Sequence, residues 1–496
     1  MAMTAPTEPV QPRAPGTETV PATPTLEKNA IGLVRSTIFA MAGAAPGQTV
    51  AITLAILVAA SAYGTILPVV LTTAGLLCIA LAFHRLNMWR QNAGATYEWV
   101  SRAFSPYVGF LVGWLMLVAF TLFVLIDVIT IGPSVLALLG MSPSNQWGGA
   151  IAIVLIATFL TLTAVRGIRL SARLQVVVAL LEYSIVTVFA VWAFIAVFIV
   201  HKSGTIQPTT AWLTFHGTGA GVFGASMIIA VASLSGWDGG IYLNEETEAP
   251  EKNPGRGAVL GVALTGLLFL IMYGTYQGVG PSAQLQAHSA NAIAWVGQTL
   301  GGTAGERIMS FAVVISVLAT TQVAIIGTSR VAYSMARDRV LPRRLGSISA
   351  RYRTPAFATL LLGGSMIVLA LIDVFATSVS SAMTTIINTS GVLYAIFYAV
   401  TGIAAAWYYR RLLFQSAKNA IMLGVLPLAG AALLIWVAVK GTQALTQGEK
   451  NALIVIAVLG LIMMVVAARV YKAPIFKAKV ETAETTEAVS NFGANN

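Results

Sequence analysis

The sequence predicts an all-α polytopic membrane protein with twelve transmembrane helices. Three observations lead there. Of 496 residues, 57% are hydrophobic and only 9% are charged, against about 25% charged in soluble domains. Apolar runs near or above the roughly 20 residues needed to cross a bilayer recur twelve times, at about 33–62, 65–84, 107–131, 147–165, 172–200, 219–243, 258–280, 308–333, 355–374, 379–408, 419–440 and 451–470. The basic residues then alternate between connections. With the N-terminus placed in the cytosol, only Lys202, Arg307, Lys440 and Lys450 of the 29 Lys and Arg fall outside, as the positive-inside rule requires. A missed or extra span would scramble this alternation, so both termini are expected in the cytosol and the chain in the cytoplasmic membrane. The net charge of +11 thus reflects topology and anionic lipid, not nucleic acid.

Taken in order, residues 1–30 are rich in Thr, Pro and Ala and lack the basic-then-apolar order of a signal peptide. They and residues 473–496 are expected to be disordered cytosolic tails. The first span holds a break at Gly43-Ala44-Ala45-Pro46-Gly47, with apolar helix resuming at Thr49. Proline lacks an N–H and clashes with the preceding turn, and flanking glycines loosen the helix further. The single cysteine, Cys78, sits in an apolar run and reads as a small packing residue.

The sixth span is interrupted by Ser233-Leu234-Ser235-Gly236-Trp237-Asp238-Gly239-Gly240. Glycine is entropically costly in a helix, and Ser and Asp compete for its backbone hydrogen bonds. Helix is expected to resume at Ile241 and to end in the acidic run 244–251. Lipid cannot satisfy the backbone groups freed at such breaks, so each must face protein or a solvated cavity. Two breaks in corresponding positions point to a five-plus-five inverted repeat. Helices 1–5 would occupy 31–205, helices 6–10 would occupy 206–412, and helices 11–12 would occupy 413–472. N–H groups after a break suit a carboxylate and carbonyls before one suit an ammonium group, so a zwitterion matches both.

Ionisable side chains inside spans cost about 2.5–3.5 kcal/mol on insertion scales, which singles out Asp127, Glu182, Asp238 and Asp373. No Lys or Arg is placed deep in a span. Asp127 either binds a cationic substrate or pairs structurally. Asp238 is either a cation ligand or the N-cap of the resumed sixth helix. Asp373 falls at an external helix end, solvated. Glu182 is either a proton carrier or a structural hydrogen-bond acceptor toward the first or eighth span. Thr320 and Thr321 are hydroxyl partners for a coupling ion, or bond back to their own helix. Beyond the eighth span, the run Arg337, Asp338, Arg339, Arg343 and Arg344 is expected mostly to hold topology and contact lipid, with some of it pairing with Glu245, Glu246 or Glu248 at a cytosolic gate. Trp407-Tyr408-Tyr409 reads as an interfacial belt.

Three stretches carry a family resemblance. NAGATYEWVSRAFSPYVGFLVGW (Asn92–Trp114), GWD followed by NEETEAPEKNPGR (Gly236–Arg256), and SRVAYSMARDRVLPRRLGSISARYRTP (Ser329–Pro355) resemble amino acid permeases of the amino acid–polyamine–organocation (APC) superfamily. With the break in the first span they cover about 35–410. The resemblance implies the LeuT-like APC fold and alternating access. It implies a substrate carboxylate at Ala45, Gly47 and Gln48 and its amine at Ala232, Ser233, Leu234 and Ser235. It also places Glu182 where several sodium-independent relatives carry a lysine. The chain departs from the pattern twice. Pro46-Gly47-Gln48 stands where many relatives have Gly-x-Gly. Ala232 stands where many have a gating aromatic, so either another aromatic gates the site or a bulkier substrate enters.

No catalytic constellation, metal-ligand spacing or phosphate loop was found among the motifs, and no cofactor is implied. The expected activity is secondary active transport of amino acids, proton-coupled and inward. The rival with the same fold is a carrier of polyamines or other organic amines. A membrane receptor or enzyme is the rival of another class, disfavoured by short loops and the lack of a sensory domain.

Overall fold

The computed structural model describes residues 24–142, 144–216, 220–289, 291–376 and 379–483. Twelve helices are long and apolar enough to cross a membrane. They are α1 (Leu33–Ser61), α2 (Ile66–Trp89), α3 (Pro106–Leu138), α4 (Gln146–Arg166), α5 (Ile168–Ile199), α6 (Gly221–Glu246), α7 (Asn253–Tyr276), α8 (Ala292–Arg337), α9 (Ala356–Phe375), α10 (Thr384–Tyr408), α11 (Ala417–Ala444) and α12 (Gln447–Val470). Each matches one predicted span, and no strand occurs among the described residues. α8 begins sixteen residues earlier than predicted because a short preceding helix joins it across a kink, where Gly301 and Gly302 leave helical geometry. Helices α1, α6, α8 and α10 form the inside of the bundle. The most apolar stretch of α1 is 89% buried, whereas that of α12 is 11% buried and presents its apolar side chains outward.

Both predicted breaks are present. α1 divides into α1a (Leu33–Gly43) and α1b (Pro46–Ser61), joined through Ala45 in the left-handed region at φ 45° and ψ 63°. Pro46 opens α1b, where its missing N–H costs no helical bond. α6 divides into α6a (Ala220–Leu234) and a second half, separated by Gly236 at φ 90°. That second half corrects the expectation of resumed α-helix at Ile241: Trp237–Glu246 is a 3-10 helix. Gly239 and Gly240 weaken α-helix, and Gly240 lets the segment press onto Ser36 of α1a.

The two breaks touch. A Cβ on Gly43 would overlap the Gly236 carbonyl, and one on Gly236 would overlap the Gly43 carbonyl. Backbone meets backbone because neither residue has a side chain.

The parts of the expected tails that lie nearest the bundle are docked on it. Ala30 N–H donates to Glu246 O (2.8 Å) and Glu248 N–H to Ile31 O (2.8 Å), while Leu26 is buried beside Ala93 and Tyr333. At the other end, Glu481 N–H donates to Arg102 O (2.7 Å) and Ala483 N–H to Tyr408 O (3.1 Å). The remaining tail residues, 1–23 and 484–496, lie outside the described residues.

Candidate functional site

A narrow cavity of about 20 Å³ lies beside the two breaks. α1b contributes Gln48, Thr49, Ile52 and Thr53; α3 contributes Phe123, Ile126 and Asp127. Ala232 and Ser233 come from α6a, and Ile387 and Ser390 from α10. None of these residues is more than 9% exposed, so the cavity lies within the buried interior of the bundle.

The backbone donors after the first break are not free, contrary to the sequence expectation. Gly47 N–H donates to Glu182 Oε1 (2.9 Å) and Gln48 N–H to Ser316 Oγ (3.1 Å). Ala45 N–H bonds back to Ala42 O (3.2 Å). A helix N-terminus buried in protein must find acceptors, and α5 and α8 supply them. Glu182 is fully buried, and its second oxygen, Oε2, has no hydrogen-bond partner. Thr320 closes the other side of the break, donating to Ala42 O at 2.9 Å and to Ser316 O at 2.9 Å. Thr321 is buried with its hydroxyl unpartnered.

Of the residues expected to hold substrate, Gln48, Ala232 and Ser233 line the cavity; Ala45, Gly47, Leu234 and Ser235 do not. Gln48 Nε2 donates to Thr130 Oγ1 (3.0 Å), and its Oε1 has no partner. Ser233 meets Thr53 (3.5 Å) and Tyr273 (3.4 Å), whose hydroxyls are themselves 2.5 Å apart. Ser235 Oγ bonds back to Val231 O (2.6 Å). Ala232 packs with Ile52, Ile126 and Ile387 in an aliphatic cluster, and Phe123 is the aromatic that reaches the cavity.

The membrane acids separate into distinct settings. Asp127 is 1% exposed, lines the cavity, and has an unpartnered oxygen, Oδ2. Asp238 is not an N-cap: Gly236 holds that position without a side-chain bond. Both Asp238 oxygens instead accept tyrosine hydroxyls, Oδ2 from Tyr242 (2.6 Å) and Oδ1 from Tyr398 (2.7 Å). These bonds tie the 3-10 segment to α10 and leave Asp238 outside the cavity wall. Asp373 is half-buried, not fully solvated, and is also absent from that wall.

Below the cavity, toward the basic end of the bundle, polar contacts seal the interior. Arg330 and Glu246 form a fully buried two-point pair, Nε–Oε2 at 3.0 Å and Nη2–Oε1 at 3.1 Å. Arg330 stands about two turns before the end of α8, where protein buries it. Arg337 pairs with Glu245 (2.9 Å), and Glu98 receives Arg90 (2.6 Å) and Arg102 (3.2 Å). Tyr97 donates to Asp338 Oδ2 (3.0 Å); burial, and then the nearby Glu98 charge, push the Asp338 carboxyl above its ordinary range. Sequence reasoning missed Ser316, Thr130, Phe123, Ser390 and the Arg330–Glu246 partnership. The only local signal for the last was an arginine inside the apolar periodicity of the eighth span.

An all-helical membrane bundle with two interrupted helices meeting beside a buried cavity has the design of a transporter. The chain belongs to the amino acid permease family, within the APC superfamily: the family model described as "Amino acid permease" matches residues 31–468. Among curated relatives, the low-affinity putrescine importer PlaP of Escherichia coli (strain K12) is 24% identical over 81% of this chain and 85% of its own length. The branched-chain amino acid permease BcaP of Lactococcus lactis subsp. cremoris (strain MG1363) is 24% identical over 55% of this chain and 61% of its own. The methylthioribose transporter of Bacillus subtilis (strain 168) is 23% identical over 62% and 67%.

Proposed function

We propose that the chain takes up amino acids across the cytoplasmic membrane, with both termini in the cytosol. A proton drives the movement, and alternating access operates through two inverted five-helix repeats. One observation carries this reading: Glu182 occupies the Gly47 N–H, next to the cavity residue Gln48. That donor is the one a substrate carboxylate would use. Charge-assisted bonds are about twice as strong as neutral ones, so a protonated Glu182 holds Gly47 weakly and yields it to the incoming carboxylate. Proton and substrate then favour each other's binding, which is the linkage a symporter requires. The substrate amine is set against Asp127 and Ser233. Among the intended site residues, Gln48 orients the chain of polar groups and Thr320 holds the end of α1a.

A second reading has its own support. Asp127 brings an unpartnered carboxylate oxygen into the cavity while the backbone donors are occupied. A substrate with an amine and no carboxylate, such as a diamine, suits that arrangement. The PlaP relative is named a putrescine importer.

Counterflow in proteoliposomes with labelled leucine, alanine and putrescine separates the readings, repeated with an imposed pH gradient. Leucine or alanine exchange that the gradient accelerates, and that Glu182→Gln renders gradient-insensitive, supports the first. Putrescine exchange alone, abolished by Asp127→Asn, supports the second. Exchange of none of the three, or an unchanged gradient response in Glu182→Gln, overturns proton-coupled amino acid uptake.

A further inference from the structure

A polar strip continues from Glu182 along the buried face of α5 toward the basic end of the bundle. Gln175 lies seven residues earlier, on the same face and about 10 Å away along the axis. It is 1% exposed, and neither its amide nitrogen nor its amide oxygen has a partner. Leaving a buried donor or acceptor unmade costs about 1–3 kcal/mol each, so a fully orphaned glutamine is a poor structural choice. Four residues further along, Ser171 donates to Thr163 O (3.1 Å), and Gln322 of α8 donates to Thr163 Oγ1 (3.2 Å). The buried positions that flank the strip are Ala172 and Ala179, whose small side chains crowd it least. α5 starts just beyond, at Ile168, beside the exposed Arg166, Arg169 and Arg173.

We propose that this strip is the route by which Glu182 exchanges its proton with water at the basic end of the bundle, with Gln175 as its positioning residue. The idea rests on the proton-coupled reading of Glu182. In the release step the Oε2–H bond breaks, the carboxylate keeps the electron pair, and the proton passes to a bridging water. A second water, held by the Gln175 carbonyl and amide, takes it on toward Ser171 and Thr163. Gln175 stays neutral throughout. Buried waters bonded to two to four polar groups suit such a site.

The surroundings leave the route to these groups. Among the described residues no ion pair involves Glu182. On the same helix Tyr183 is its neighbour, with Arg169 and Arg173 exposed at the basic end. From α7, Tyr276 is engaged with Val186 O (2.8 Å) and Tyr273 with Thr53 and Ser233. α1b and α8 meet Glu182 with Gly47 and Ser316, and α1a carries Arg35 and α4 carries Arg166 at their basic ends.

The test uses full-length protein in proteoliposomes loaded with a pH-sensitive dye, given L-leucine or putrescine. Gln175→Leu is expected to slow substrate-linked proton entry about tenfold while leaving counterflow of the same substrate within about twofold of wild type. Gln175→His, which restores donor and acceptor, is expected to recover proton entry. Gln175→Met, matched in length, serves if the leucine variant does not fold. An equal fall in both modes marks a packing role and overturns the proposal. So does normal proton entry in Gln175→Leu or Gln175→Met. If Glu182→Gln itself keeps full proton entry, the coupling reading fails first; if it loses entry while both apolar Gln175 variants keep it, only the route fails.

Discussion

Adding one methyl group to either break should destabilise the chain, because the two breaks meet backbone to backbone. Gly43 and Gly236 face each other with no room for a Cβ on either side. Gly43→Ala forces the backbones apart, an overpacking cost of about 1–3 kcal/mol. Gly236→Ala carries that overlap and adds a side chain at φ 90°, where strain contributes about 1–3 kcal/mol more. The expected losses are therefore about 2 kcal/mol for the first and about 4 kcal/mol for the second. Gly364→Ala in α9 is the control, because a Cβ there meets nothing within 4 Å; it should be neutral or slightly stabilising. Thermal unfolding in detergent reads the stability and substrate accumulation in liposomes reads the function. The prediction is a graded loss, Gly236→Ala below Gly43→Ala below Gly364→Ala, with transport falling in the same order. If all three variants unfold at the wild-type temperature, the breaks do not pack against each other and the cavity is not built where it has been placed.

Other expectations follow from the buried polar contacts. Glu246→Gln strands the Arg330 charge in the interior and should cost about 3–5 kcal/mol, whereas Arg330→Met with Glu246→Leu should recover most of it; equal losses by thermal unfolding would show that the pair is not buried. Tyr398→Phe removes one of two donors to Asp238 and should cost about 1.5–3 kcal/mol, an effect that vanishes in an Asp238→Leu background if the bond is its source. Asp338 has a raised folded pKa, so the folded state holds its proton more tightly than the unfolded chain does. Stability is thus highest below the ordinary carboxylate value and falls as pH rises through the folded value. Unfolding temperatures of Asp338→Asn across the acid range should lack that fall, and a parallel curve would remove Asp338 from the acid response.

What could be read from the residues, and what could not, divides by the range of the physics involved. The breaks were legible because their causes are local: Pro46 removes an N–H where it stands, and Gly236 opens backbone angles that no neighbour need supply. The spans were legible because bilayer thickness sets their length. The partners of the breaks were hidden because they come from far along the chain. Glu182 is 135 residues from Gly47, Ser316 is 268 from Gln48, and Glu246 is 84 from Arg330. Which of them meet depends on helix rotation, and apolar periodicity is weak in helices buried on most sides. That explains the form of the main correction. Free backbone dipoles were expected at the first break because only the break was visible. In the buried interior of the bundle an exposed dipole end would be as costly as any unpaired polar group, so the protein caps its own break with a carboxylate and a hydroxyl. On the proposed reading, a site satisfied in this way does not wait open for its substrate; the substrate competes with Glu182 and Ser316. On that reading, binding at the first break is an exchange of hydrogen bonds, and a group that controls the strength of the resident bond controls the exchange.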